Sequence, residues 1–193
     1  MSFIANTMNR RGALLRLAYV VVAPILFGIY FFFWRRDLER ESQLMARIPS
    51  AIREGKVKPT YATADLNWKP ASGVYNQVEL DPSGQIHVVT DSSTFSYQVV
   101  SDAATGGAEF CYVAFSVDVI KGGASVMVLD QKGNSLASKN LDRTWKYHEQ
   151  MMVRSGNNKT LNFVVANDFP GRGQSEFRIL QFDVYCIPSG TNI

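Results

Sequence analysis

Eighteen consecutive residues between Arg16 and Arg35, LAYVVVAPILFGIYFFFW, carry no charge. As a helix rising 1.5 Å per residue this run reaches roughly 27 Å, close to the ~30 Å hydrocarbon thickness of a bilayer. Ala13, Leu14 and Leu15 lengthen it if Arg16 snorkels its guanidinium outward. Tyr19, Tyr30 and Trp34 fall where interfacial aromatics are expected, with Arg35 and Arg36 just beyond. The expectation is a transmembrane helix over 13–34 behind a short tail, 1–12. A cleaved signal peptide fits less well, because Phe31-Phe32-Phe33-Trp34-Arg35-Arg36 offers no small-residue cleavage site. Orientation is nearly balanced, with Arg10, Arg11 and Arg16 on one flank and Arg35, Arg36, Arg40 and Arg47 on the other.

From Arg35 the sequence keeps helical composition, and Leu38, Met45, Ile48 and Ile52 recur near heptad spacing. A juxtamembrane stalk over 35–57 is expected. Pro49 disfavours helical geometry at Ile48, so the reading places a break there, with a short second turn before Gly55.

Charge divides along the same line. Residues 1–55 hold eight Arg against four acidic side chains, and residues 56–193 hold twelve Lys or Arg against thirteen Asp or Glu. The net +3 therefore belongs to the N-terminal segment. A near-neutral remainder lacks the clustered positive charge that phosphate-backbone binding requires, so no nucleic-acid partner is expected. With 46% hydrophobic and 19% charged residues, 193 residues suffice for one packed domain.

Beyond Lys58 the texture changes to short alternating runs divided by Gly, Asn, Asp and Pro, the pattern of an antiparallel, mainly β sandwich of about nine strands over 58–193. The clearest runs are 85–90, 94–100, 109–120, 124–130, 144–153, 159–167 and 176–187. In 109–120, Cys111, Val113, Phe115, Val117 and Val119 share an apolar face. In the last run Leu180, Phe182, Val184 and Cys186 share one, opposite Gln181, Asp183 and Tyr185. Both cysteines thus point into a core, near the same end if their strands are antiparallel neighbours. A Cys111–Cys186 disulfide is geometrically feasible; the alternative is two buried free thiols. A disulfide would place the domain in an oxidising compartment, with the N-terminus cytoplasmic and the sandwich periplasmic or otherwise extracytoplasmic.

Signatures of chemistry are sparse. His87 and His148 lie on different runs, and HExxH, CxxC, GxSxG, a Walker loop and GxGxxG after a strand are all missing. No catalytic residues, metal site or cofactor are expected. Asn158-Lys159-Thr160 is an N-glycosylation sequon in a turn, a triplet common by chance. Binding is what remains. Trp145, Tyr147 and Met151 alternate with Lys146, His148 and Gln150; the two aromatics fit a core face first and an exposed platform second. Trp68 reads first as a lid over the core, with a sugar-stacking platform or an interfacial anchor as alternatives. Asp168, Arg172 and Gln174 sit in a loop with groups suited to a polyhydroxylated ligand.

One resemblance rests on Phe95-Ser96-Tyr97-Gln98, on Tyr112 to Val117 ending in Gly122-Gly123, on Val126 to Asp130 followed by Gly133, on Phe163 to Asn167, and on Ser175 to Ile179. In this texture the chain resembles the galactose-binding-like jelly-roll sandwiches of carbohydrate-binding modules. The resemblance implies a fold and, by analogy alone, glycan binding. Two functions are therefore expected to compete. One is a non-catalytic, membrane-anchored module for an envelope glycan. The other is an accessory subunit of an integral-membrane complex, such as a respiratory or photosynthetic one, with the bilayer and neighbouring subunits as partners.

Overall fold

A computed structural model describes residues 3–73, 76–81, 84–92, 96–167 and 173–188, apart from the side chains of 3–21, 41 and 45. The chain divides into two compact units, Met1–Ala46 and Arg47–Ile193.

One long helix, α1 (Phe3–Arg53), occupies the N-terminal region. The expected break at Pro49 does not occur, and the helix runs through it to Arg53. Proline removes one backbone donor without abolishing its neighbours' bonds. Here the Ser50 hydroxyl donates to the Arg47 carbonyl at 2.7 Å, and Arg53 Nε donates to the Pro49 carbonyl at 3.3 Å.

The expected single-pass membrane localisation is corrected. Among the described residues no helix is long and apolar enough to cross a membrane. The membrane-interface roles expected of Tyr30, Trp34, Arg35 and Arg36 rested on that span. Tyr30 and Trp34 are exposed helix-surface side chains, and Arg35 Nε pairs with Glu39 Oε1 at 3.0 Å one turn on. The side chains of Arg16 and Tyr19 lie outside the described set.

Ten strands follow: β1 (Lys69–Pro70), β2 (Gln77–Leu80), β3 (Ile86–Val89), β4 (Ser96–Ala104), β5 (Phe110–Lys121), β6 (Ala124–Leu129), β7 (Ser135–Leu141), β8 (Lys146–Arg154), β9 (Thr160–Asn167) and β10 (Glu176–Ile187). They form two five-stranded sheets, ordered β1-β4-β9-β6-β7 and β2-β3-β10-β5-β8, with every pairing antiparallel. Such a sandwich buries one face of each sheet and leaves the other for solvent or ligand.

The core lies where the alternation placed it. Val113, Phe115, Val117 and Val119 of β5 face Val126 and Val128 of β6 and Phe163 and Val165 of β9, all buried. Phe182 sits at the centre: its ring stacks on Phe115 at 5.8 Å and meets Phe163 and Trp68 edge-on at 5.2 and 5.0 Å. Aromatic pairs of this geometry add about 0.5–1.5 kcal/mol beyond their buried area.

Strand β10 departs from simple alternation. Phe177 and Ile179 are core residues, as are Phe182 and Val184, although the two pairs differ in parity. A register shift between Ile179 and Gln181 leaves Leu180 as the extra, half-buried residue of a bulge. Leu180 therefore leaves the core face on which its spacing put it.

Cys111 and Cys186 are directly opposite in the β5–β10 ladder and form a disulfide, with Cα atoms 4.1 Å apart. At the β5–β6 turn, Gly122 has φ +73°, and a Cβ built on it would lie 2.3 Å from Ser175 Oγ, so glycine is required twice over. Ser175 Oγ accepts from Gly123 N–H at 3.0 Å and donates to Asn167 Oδ1 at 3.0 Å, tying the turn to both sheets.

Candidate functional site

The face of the β2-β3-β10-β5-β8 sheet turned away from the core collects the strands' polar residues in rows. Cross-strand register places Glu79, His87, Arg178, Asp118 and Lys146 side by side across all five strands. The next row is Gln181, Ser116 and His148, and the one after it Asp183, Ala114 and Gln150. Neighbours within a row stand about 5 Å apart and successive rows about 7 Å.

The central row is ordered by hydrogen bonds. Ser116 Oγ and His148 Nδ1 are 2.7 Å apart, and Gln181 Nε2 donates to Asp183 Oδ2 at 2.6 Å. The small side chain of Ala114 leaves a shallow depression of about 250 Å³ between Ser116, His148, Gln150 and Gln181. His148, Gln150 and Gln181 are exposed. The depression thus presents imidazole, amide and hydroxyl groups, which both donate and accept hydrogen bonds.

The fourth row is different. Tyr185 and Tyr112 lie on the outward parity yet are 5% and 2% exposed, their rings meeting edge-on at 6.0 Å. Tyr112 donates its hydroxyl to Gln150 Oε1, linking the buried aromatic pair to the depression. Burial pushes the Tyr112 phenol above its ordinary range, with Tyr185 beside it adding to the effect; burial, then Asp183, does the same for Tyr185.

The residues singled out from sequence scatter around this face. Trp145, just before β8, is 69% exposed, while Tyr147 packs half-buried against the core. The pair expected to share a core face is therefore split. Trp145 keeps its backbone in the ladder through Val119 N–H, which donates to its carbonyl at 3.0 Å. Tyr147 accepts from Arg143 N–H at 2.9 Å and donates to the Arg143 carbonyl at 3.2 Å. His148 lies at the depression itself. Trp68 lies elsewhere, against Phe182. Asp168 and Arg172 lie outside the described residues, and Gln174 is exposed in the approach to β10. Sequence reasoning passed over Ser116 and Ala114, although both belong to the period-two set opposite the apolar face of β5.

The architecture resembles that of carbohydrate-binding modules. The CBM22-1 xylan-binding domain of a Paenibacillus barcinonensis protein is 9% identical with a TM-score of 0.48, covering 69% of this chain and 97% of that domain. A CBM4 module gives 6%, 0.45, 63% and 88% in the same order. The CBM6cm-2 module of Cellvibrio mixtus lichenase 5A, solved with cellotriose, gives 11%, 0.42, 66% and 98%. At such identities the likeness is one of sandwich architecture and assigns no ligand to this chain. No protein-family model matches the chain, and no curated protein matches it in sequence.

Proposed function

We propose that this chain is a non-catalytic glycan-binding module whose ligand lies on the outer face of the β2-β3-β10-β5-β8 sheet, over Ala114. The observation that carries the reading is the depression over Ala114, where the exposed His148, Gln150 and Gln181 present imidazole and amide groups on one face of the sheet. Trp145, three residues before His148 and bonded through its backbone to the core residue Val119, falls on the opposite parity and is not part of this face. A saccharide presents an apolar C–H face and a ring of hydroxyls. The planar amide and imidazole groups of the depression suit the hydroxyls. The accessory-subunit alternative rested on a membrane helix and loses its support with it.

The test is retention on immobilised xylan and β-glucan, with calorimetry against soluble oligosaccharides of each. Gln150→Ala and Gln181→Ala are each expected to weaken binding roughly two- to tenfold, the ~0.5–1.5 kcal/mol of one hydrogen bond. Both positions are exposed, so circular dichroism and thermal midpoint should not change. Undiminished retention in both variants, or no retention of any glycan by the wild type, overturns the reading.

A further inference from the structure

Between Val22 and Trp34, helix α1 carries ten large apolar side chains that are 47–70% exposed. At about half of the ~150–250 Å² that an aromatic side chain can bury, they present roughly 1,000 Å² of apolar surface. The largest patch on a typical monomer is about 300–600 Å², and one partner of a standard interface buries about 800 Å². Two ring contacts mark one stripe of this surface. Phe31 stacks on Phe27 at 6.4 Å and meets Trp34 at 5.8 Å, and the exposed Leu38 continues the stripe one turn on. Steps of four, three and four residues are the a/d repeat of a coiled coil. Counted back along α1 at the same spacing, the repeat positions hold Pro24, Val20, Leu17 and Ala13, and the next ones outward on either side are the charged Arg10 and Glu41.

We infer that α1 pairs with α1 of a second copy of this chain, antiparallel, with positions 24 and 27 facing each other across a two-fold axis. The occupant follows from the order of side chains along the repeat. Its first half is small or aliphatic and its second half holds the three rings. Antiparallel pairing therefore sets Pro24 against Phe27, Val20 against Phe31, Leu17 against Trp34 and Ala13 against Leu38, every a position opposite a d position. The same register puts Arg10 against Glu41 at both ends and Arg16 against Asp37 on the flank, unlike charges each time. A parallel pair would oppose Arg10 to Arg10 and Glu41 to Glu41. The contact is isologous, as a closed two-fold dimer requires. Apolar side chains off the stripe leave surface on which further pairs can add, so the pair is the smallest assembly. The stripe lies within the unit Met1–Ala46, and the inference uses no residue of the glycan site.

Sedimentation equilibrium of the full chain in a mild, density-matched non-ionic detergent tests it, with an expected mass of at least twice 21.6 kDa. Phe31→Glu should weaken association at least tenfold and leave the sandwich's thermal midpoint unchanged. Cysteine cross-linking reads the orientation, because Cys111 and Cys186 are bonded to each other and an introduced cysteine supplies the free thiol. Under a mild oxidant, a mixture of Ala13→Cys and Leu38→Cys chains should form covalent dimers at least tenfold faster than either variant alone. A wild-type chain that sediments at 21.6 kDa, whether free in solution or bound to micelles, overturns the inference. So does cross-linking of Leu38→Cys alone as fast as in the mixture, or an undiminished mass for Phe31→Glu.

Discussion

Replacing Cys111 and Cys186 together by alanine tests how the sandwich is held. The two residues are partners in the long β5–β10 ladder, so the native backbone keeps them adjacent without the bridge. Most of the disulfide's effect should therefore fall on the unfolded chain, where it closes a loop across a sequence separation of 75. The loop-closure expression, 2.1 plus 1.5R ln n, gives about 15 cal/mol/K for n of 75, or about 4.5 kcal/mol at 25 °C. Unit Arg47–Ile193 spans 193 − 47 + 1 = 147 residues. At about 2.1 cal/mol/K per residue its unfolding entropy is about 310 cal/mol/K, so the midpoint should fall by about 15 °C. Scanning calorimetry of the wild type with and without a phosphine reductant isolates the bridge, and the double variant adds the lost packing of a fully buried Cys111. Guanidinium unfolding should show a larger m-value without the bridge, since the freed chain exposes more surface. A fall below about 5 °C with an unchanged m-value would refute the reasoning, because the unfolded ensemble would then already hold β5 and β10 together.

Two further perturbations address the turn and the buried phenols. Gly122→Ala combines a left-handed backbone with a clash against Ser175 and should cost about 3 kcal/mol in urea unfolding; a loss under about 1 kcal/mol would mean that the turn repacks freely. Tyr112 and Tyr185 have folded-state pKa values raised by burial, so their contribution is fully present below the unfolded value near 10 and is lost as pH rises through the folded values. Stability should fall on the alkaline side, and phenolate absorbance assigned by Tyr112→Phe and Tyr185→Phe should appear at higher pH than in urea. Coincident titration in the two states would contradict the burial argument.

The strands that sequence located are those whose alternation is paid for by burial on one side. The run 176–187 coincides with β10, and 109–120 with β5 to within a residue. Strand β7, Ser135–Leu141, escaped because it is a mostly exposed edge strand, in which the inner face writes only Ala137 and Leu141 into the pattern. The bulge at Leu180 escaped for a different reason: alternation is local, and a change of parity is visible only against the neighbouring strand. The candidate site was half legible. His148 drew attention as a residue type, but the depression depends on Ala114 being small at one crossing of three strands, and that is a property of register. Tyr112 and Tyr185 show the same limit, since outward parity predicts solvent and the structure buries them.

Strand β10 is guarded on its β3 side by two different neighbours. Residues 176–179 pair with β3, but farther along the strand Thr60 and Tyr61 take over, Val184 donating to the Tyr61 carbonyl at 2.8 Å and its own carbonyl accepting from Thr60 N–H at 2.7 Å. The Thr60 hydroxyl accepts from Cys186 N–H as well. Those few residues ahead of β1 thus close an edge that would otherwise present free amides and carbonyls beside a large core strand, the template on which chains aggregate. The sandwich begins, in this sense, at Thr60 rather than at its first named strand, and shortening the chain from its start beyond that point would leave the β10 edge open to pairing with another chain.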